Sequence, residues 1–144
     1  MNKPEIKTMA EKVLKINKDN FKQLDELDTE IAAYDGSPNP ETIKKWARRA
    51  AGLGNNVSKS FSKVYGIRKR EERSNYMKLK TKSAIDNIKF VSTVANEESK
   101  NLTSDLKIAE SILESYYEGA KTNISICRMH LGVAESDKPI TATL

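Results

Sequence analysis

The sequence predicts an all-α protein: an elongated helical hairpin or bundle of three to five helices that ends in a long amphipathic helix. Apolar residues make up 38% of the 144 residues and aromatic residues 6%, while charged residues reach 31%. Six glycines and four prolines leave long stretches without helix-breaking residues. Apolar residues also recur at intervals of three and four, the spacing of one helix face. Composition and spacing together favour long helices over a compact mixed fold.

The first region, residues 1–38, is predicted to be helical and acidic. Apolar residues keep helical spacing at Ile6, Met9, Val13, Ile16, Leu24, Leu27 and Ile31. Asp19 either caps a second helix or lies within one long helix. Residues 19–41 contain seven acidic residues and one lysine. The sequence DGSPNP at 35–40 then predicts a break.

A basic helical region is predicted over residues 39–95. Asn39 is a good N-cap, Pro40 suits the first helical position, and Glu41 favours the positive end of the helix dipole. We expect Trp46 to pack in the core. GLGNN at 52–56 is predicted to end or bend this helix. Residues 56–95 are then predicted to form one helix or two, and two candidate interruptions are Ser74-Asn75 and Ser83.

The strongest periodic pattern predicts an amphipathic oligomerisation helix over residues 96–132. Its apolar positions step by three or four residues over about eight turns, as in a coiled-coil seam. The residues expected to carry self-association are Leu102, Leu106, Ala109, Leu113, Tyr116, Ala120, Ile124 and Leu131. Cys127 lies on the same stripe and is expected to be a buried small hydrophobe. Gly132 is predicted to stop the helix, and residues 133–144 to form a flexible tail.

Positive charge is concentrated in the centre of the chain. The net charge is +5, but residues 44–82 contain thirteen Lys or Arg against two Glu, which leaves −6 for the rest. Glu71 and Glu72 are too few to balance these cations through i,i+4 pairs. Such asymmetry indicates a polyanionic partner, pairing between subunits, or both.

On a continuous helix, the segment KVYGIRKREERSNYMKLKTK (63–82) forms a basic stripe with tyrosines. At about 100° per residue, Tyr65 and Tyr76 fall close together, with Lys69, Arg73 and Lys80 on the same side. Cations neutralise phosphates and rings stack on bases, which suits single-stranded nucleic acid. The predicted binding residues are Lys44, Lys45, Arg48, Arg49, Lys63, Tyr65, Arg68, Lys69, Arg70, Arg73, Tyr76, Lys78, Lys80 and Lys82. The alternatives are an acidic protein partner and a solvated helix whose tyrosines touch a neighbouring helix.

The sequence offers no credible catalytic, cofactor or metal site. GLGNN lacks the GK[ST] ending of a phosphate loop. Cys127 and His130 supply only two of the ligands that a zinc site needs. No stretch approaches the roughly 18 apolar residues of a membrane span, and the start of the chain lacks the apolar region of a signal peptide. A lone cysteine favours a reducing cytoplasm, which is the host's if the chain is phage-encoded.

The order of these features resembles the UvsY-type recombination mediators of bacteriophages. The resembling part spans residues 42–131 and includes KKWARRA, the basic tyrosine-containing segment and DLKIAESILESYYEGAKTNISICRMHL. The resemblance implies a small helical protein that binds single-stranded DNA, assembles into rings and loads a RecA-like recombinase onto strands covered by single-strand-binding protein. We therefore expect a non-catalytic, oligomeric accessory of recombination or replication.

The competing expectation is a small helical structural or adaptor protein, such as a phage virion or assembly component. In that class, the basic segment would pair with acidic surfaces of a neighbouring protein.

Overall fold

The computed structural model describes residues 1–136, and all regular structure within them is α-helical. Five helices follow one another along the chain: α1 (Lys3–Ile16), α2 (Lys18–Ala32), α3 (Pro40–Ile85), α4 (Ser92–Leu102) and α5 (Ser104–Ser136). The predicted all-α fold of three to five helices is confirmed. None of the helices in this part of the chain combines the length and the apolarity needed to cross a bilayer.

The helices form two compact units. Unit 1 comprises Met1–Asn17 and Lys59–Leu113, and unit 2 comprises Lys18–Ser58 and the chain from Glu114 onward. Unit 1 therefore contains α1, α4, the second part of α3 and the start of α5. Unit 2 contains α2, the first part of α3 and the remainder of α5.

A short break at Asn17 separates α1 from α2. α1 begins with a capping box, in which the Asn2 side chain accepts from the Glu5 backbone N–H at 2.9 Å. The buried Asn17 amide donates to the Val13 carbonyl and to Ser60 Oγ, both at 2.9 Å. A separate second helix is present, but it begins at Lys18, so Asp19 lies within its first turn and is not its N-cap.

The third helix begins where the sequence predicts. Asn39 Oδ1 accepts from the Thr42 backbone N–H at 3.0 Å, so Asn39 caps a helix whose first residue is Pro40. α3 then continues for 46 residues, through GLGNN and through Ser74-Asn75. The predicted helix end at residues 52–56 is therefore wrong.

α3 ends at Ile85 in a local motif that the sequence analysis missed. Asn87 adopts a positive φ of 55°. The Ile88 N–H donates to the Ser83 carbonyl at 2.9 Å, and the Asn87 N–H donates to the Ala84 carbonyl at 3.4 Å. These two bonds and the left-handed residue form a Schellman motif, with Asn in place of the more common Gly. Residues 86–91 are non-helical, so residues 56–95 form parts of two helices, with the break at neither predicted position.

Gly54 allows α3 and α5 to approach closely within unit 2. A β-carbon on Gly54 would lie 3.0 Å from the β-carbon of Ala120. Glycine within a helix costs about 1 kcal/mol relative to alanine. Helix contact, rather than a helix end, explains this residue. A β-carbon on nearby Gly52 would meet no atom within 4 Å.

The core of unit 2 is apolar, and it buries the two residues that the sequence assigned to it. It contains Leu27, Ile31, Ile43, Trp46, Ala50 and Cys127. The Trp46 indole N–H donates to Glu30 Oε2 at 3.0 Å. Cys127 is fully buried, and this burial raises the pKa of its thiol. His130 stacks on Tyr34 with ring centroids 3.7 Å apart.

The helix predicted over residues 96–132 is divided at Thr103 between α4 and α5, and α5 extends past the predicted end. α5 runs through Gly132 to Ser136, so the predicted stop at Gly132 is wrong. One glycine costs only about 1 kcal/mol in a helix, which is too little to end it where the next helix-breaking residue, Pro139, comes seven residues later. The flexible tail predicted for residues 133–144 begins inside this helix, and residues 137–144 lie outside the described part of the chain.

Much of the predicted oligomerisation seam packs inside the chain. Leu106, Ala109 and Leu113 are fully buried in unit 1, and Ala120 is buried in unit 2. These four side chains are therefore not free to contact a second copy. The remaining members of the predicted seam are half-buried: Leu102, Tyr116, Ile124 and Leu131.

Tyr116 already has partners within unit 2. Its ring stacks on Phe21 with centroids 4.2 Å apart, and its hydroxyl donates to Asp25 Oδ2 at 3.1 Å. Burial, followed by this bond to a carboxylate, raises the pKa of the Tyr116 hydroxyl.

Two neighbouring glycines should respond in opposite ways to alanine. Gly52→Ala should raise the free energy of unfolding by about 1 kcal/mol, because the methyl group meets no atom and the helix gains propensity. Gly54→Ala should lower it, since the new methyl group would press on Ala120. Urea denaturation followed by circular dichroism measures both variants. Equal stabilisation by the two substitutions would contradict the close helix contact.

Candidate nucleic-acid interface

A buried ion pair joins α3 to α5 inside unit 1. Arg68 Nη2 donates to Glu110 Oε1 at 3.0 Å, and Arg68 Nε donates to Glu110 Oε2. Arg68 Nη1 donates to Glu72 Oε1 at 2.8 Å. The side chains of Arg68 and Glu110 are only 8% and 3% exposed. One guanidinium thus holds two carboxylates, one of them through both of its oxygens.

Two further hydrogen bonds extend this pair into a polar ladder along α3. Thr103 Oγ1, at the α4–α5 junction, donates to Glu72 Oε1 at 3.2 Å. The Asn75 amide donates to Ser99 Oγ on α4 at 3.1 Å. Thr103 and Ser99 are both buried. The ladder therefore orders α3 against α4 and α5 within this unit.

The ladder shifts the pKa values of its charged members. Hydrogen bonding to Glu110 raises the pKa of Arg68, although burial opposes this shift. Burial by itself would raise the pKa of Glu110, but the hydrogen bonds and positive charge of Arg68, aided by Lys107, outweigh it and lower that pKa. Both groups are therefore charged at neutral pH.

Arg68 does not belong to the basic surface that the sequence predicts. Its guanidinium is buried against Glu110 and Glu72, so a phosphate cannot reach it without breaking those bonds. Helical spacing could have shown this placement. The same face of α3 carries, at steps of three and four, Phe61, Val64, Arg68, Glu72, Asn75 and Leu79.

The outward side of α3 in unit 1 carries cations without acidic partners. The only acids of segment 63–82 are engaged elsewhere: Glu72 binds Arg68, and Glu71 Oε2 lies 3.0 Å from the amino group of Met1. Arg70 is exposed and lies 3.9 Å from Glu71. Within residues 1–136, the exposed cations of this segment with no carboxylate within 4.0 Å are Lys63, Lys69, Arg73, Lys78, Lys80 and Lys82. We call this set the basic face. At about 100° per residue, Lys69, Arg73 and Lys80 share one side of α3 with Tyr65, and the other three cations point in other directions around the helix.

One continuous helix carries the predicted stripe, since α3 is unbroken at Gly66 and at Ser74-Asn75. Tyr65 is 45% exposed, so part of its ring is accessible to solvent. Lys69 Nζ lies 5.7 Å from its ring centroid, and Phe61 stacks beside it at 6.2 Å. A cation close to an exposed ring is the combination that binds a phosphate next to a stacked base.

Tyr76 differs from Tyr65 because it is half-buried and braced. Its ring meets Phe90 edge to face, with centroids 5.4 Å apart and an interplanar angle of 89°. Phe90 lies in the connection between α3 and α4, which the sequence analysis did not assign to the site. Tyr76 therefore belongs partly to the packing of unit 1 and partly to its surface.

The cations predicted near the start of α3 belong to unit 2, and two of them are paired. Lys44 Nζ lies 3.5 Å from Glu41 Oε1. Arg49 contacts Glu26 at 3.9 Å and Glu30 at 3.6 Å. Lys45 and Arg48 are exposed and have no carboxylate within 4.0 Å in the described residues. The predicted binding residues of segment 63–82 therefore lie in unit 1, on the second part of α3. Those at 44–49 lie in unit 2.

Exposed apolar side chains cluster near the connection between α3 and α4. They are between 45% and 78% exposed: Met77, Ile85, Ile88, Val91 and Val94. A chain with few apolar residues therefore leaves several of its larger ones in solvent on either side of this connection. Contiguous exposed apolar surface commonly marks a site of interaction with another protein.

Comparison of the chain with protein-family models, curated proteins and solved structures gives no match. The resemblance to UvsY-type mediators therefore rests on the order of the sequence features alone.

Removing Glu110 should destabilise unit 1 strongly. Glu110→Ala leaves the Arg68 charge buried with a single carboxylate, and breaking a buried pair in this way costs about 3–5 kcal/mol. Lys107→Ala is the matched control, because it removes only the exposed partner of the same carboxylate and should cost at most about 1 kcal/mol. Chemical denaturation followed by circular dichroism measures both. Similar small losses in the two variants would show that the pair contributes little.

The same ion pair should produce a specific dependence of stability on pH. Because the pKa of Glu110 is lowered from 4.5 on folding, its contribution is present above pH 4.5 and is lost as pH falls through the folded value. The difference in unfolding free energy between the wild type and Glu110→Gln should therefore shrink below pH 4.5. Glu118→Gln, which removes an exposed carboxylate that contacts Lys121 on the same helix, is the control. A constant difference for Glu110→Gln would contradict the shift.

Proposed function

We propose that this protein is a non-catalytic single-stranded nucleic-acid-binding protein, with DNA as the expected ligand, that acts as an oligomeric, mediator-like accessory of recombination or replication in the cytoplasm. The basic face carries the proposal. Six exposed cations without acidic partners lie on the same helix as the exposed ring of Tyr65. The two acids of the same segment contact Arg68, Arg70 and the amino group of Met1 rather than these six cations.

The dimensions of the basic face suit a flexible strand. From residue 63 to residue 82, a helix rises about 29 Å. Non-specific binders of single strands contact about four or more nucleotides through such charged grooves and stacked rings. Each phosphate contact adds about 0.7 to the slope of log affinity against log salt, so contacts from Lys69, Arg73 and Lys80, which share one side of α3 with Tyr65, would give a slope of about 2. Binding would depend little on sequence and strongly on salt.

Self-association and a protein partner complete the proposal. Several copies would convert weak contacts along one strand into strong overall binding. Because much of the predicted seam is buried, a second copy would meet its half-buried members and the exposed residues Ile108 and Met129 of α5. A recombinase or another protein partner could use the acidic residues of α2. Sedimentation velocity that shows only monomers at high concentration would contradict the assembly.

The exposed apolar cluster around the α3–α4 connection favours a second candidate function. A structural or adaptor protein, such as a virion or assembly component, would cover these side chains with a partner and would pair the basic face with that partner's acidic surface. In that case, single-stranded DNA would not bind at low salt.

Reversing charge on the stripe should abolish binding to DNA without unfolding the helices. The variant Lys69→Glu, Arg73→Glu, Lys80→Glu removes three exposed cations from the basic face. Wild-type protein should bind a labelled single-stranded oligonucleotide at about 50 mM salt and release it steeply as salt rises, whereas the variant should not bind. Fluorescence anisotropy measures affinity, and circular dichroism verifies the fold.

The control has the same change in net charge at another place. The variant Lys7→Glu, Lys12→Glu, Lys15→Glu alters three exposed lysines of α1 and should keep most of the affinity. Equal loss in both triple variants would mean that net charge, rather than the basic face, governs binding. Absence of wild-type binding at low salt would reject the proposed function and favour the adaptor.

A further inference from the structure

A groove of about 400 Å³ lies between α3 and α4 on the surface of unit 1. Its volume falls within the range of small-molecule sites, about 300–1,000 Å³. α3 supplies four of its lining residues and α4 supplies three. They are Lys69, Glu72, Arg73, Tyr76, Asn96, Ser99 and Lys100.

The groove is positively charged in spite of the carboxylate in its wall. Glu72 Oε1 already accepts hydrogen bonds from Arg68 and Thr103. Lys69, Arg73 and Lys100 are exposed, and none of them has a carboxylate within 4.0 Å in residues 1–136. Three cations from two helices therefore converge on one groove whose only acid is occupied. A bound anion would meet attraction from both walls.

The remaining lining residues add features that a simple anion would not require. Tyr76 contributes an aromatic ring, which packs edge to face with Phe90. Asn96 is exposed, and its amide can both donate and accept a hydrogen bond, as the edge of a nucleic-acid base requires. Ser99 is held in the floor by Asn75. An acidic peptide would use the cations but would leave the ring and the amide without a matching group.

We infer that this groove is a subsite for one nucleotide of a single strand. Lys69, Arg73 and Lys100 hold its phosphate. Tyr76 packs against the base, and Asn96 binds the edge of the base. The inference rests on the proposed function and adds α4 to the interface, since neither Asn96 nor Lys100 belongs to the basic face. The strand thus leaves the line of α3 at Arg73 and enters the groove between the helices.

Charge variants of α4 test this placement. Lys100→Glu should weaken binding of a labelled oligothymidylate of about 15 nucleotides, and Lys100→Gln should lower the salt slope by about 0.7, the value of one single-strand phosphate contact. Lys12→Glu and Lys12→Gln on α1 are the matched controls and should leave that slope unchanged. Both positions are exposed, and circular dichroism verifies that each of the four variants is folded.

Two further variants test the base contacts. Tyr76→Phe should keep the affinity, whereas Tyr76→Leu should lower it about fivefold or more, which corresponds to the lower limit of about 1 kcal/mol for stacking of one base. Asn96→Ala should also weaken binding, while leaving the salt slope unchanged.

The outcomes separate the groove from the proposed function. If wild-type protein binds the oligonucleotide and the α3 triple variant does not, yet both Lys100 variants behave like their Lys12 controls, the groove is overturned and the proposed function stands. If wild-type protein does not bind at all, both fall. Loss of one phosphate contact in Lys100→Gln, together with the difference between Tyr76→Leu and Tyr76→Phe, supports the subsite.

Discussion

The ion pair between Arg68 and Glu110 is the constraint on which the surface of unit 1 depends. The Arg68 side chain is 8% exposed and the Glu110 side chain 3% exposed, and burying either charge without its partner would be costly. The pair therefore favours the rotation of α3 about its axis that brings the two side chains together. Rotation of α3 by one residue, about 100°, would turn Arg68 away from α5. The same rotation decides which cations face water. Buried polar contacts of this kind are best known for fixing helix register.

The ladder also determines the electrostatic character of the basic face. Segment 63–82 is rich in cations, but its two acids are withdrawn from the outer surface, Glu72 toward Arg68 and Glu71 toward the start of the chain. The outer side consequently keeps nearly all of its positive charge. Burying one arginine thus leaves the surface more uniformly positive than the sequence suggests. Internal packing and the charge of the basic face are linked in this unit through a single carboxylate, Glu72.

Local chemistry made part of the fold predictable from sequence. Asn39 and Pro40 mark the start of α3 through capping, and Trp46 belongs to the core because it lies on a small apolar face. The prediction of a helix end at GLGNN was wrong. Gly54 instead makes room for the side chain of Ala120, which is distant in sequence. The prediction that Arg68 binds phosphate was wrong, because its charge was given more weight than its position on the buried face of α3. Asn96 and Lys100 were missed because only packing of α4 against α3 brings them to the groove. Local signals thus predicted helix starts, while tertiary contacts decided which residues form the surface.

Trp46, the single tryptophan of the chain, lies in the core of unit 2 beside Glu30. Intrinsic tryptophan emission is consequently a built-in reporter of that core. Unit 1, which carries the basic face and the ladder, has only tyrosine and phenylalanine among its aromatic residues. Tryptophan fluorescence therefore reports on unit 2 alone, whereas circular dichroism reports on the helices of both units. When the two signals change at different denaturant concentrations, the difference measures how independently the two cores melt although α3 and α5 contribute to both.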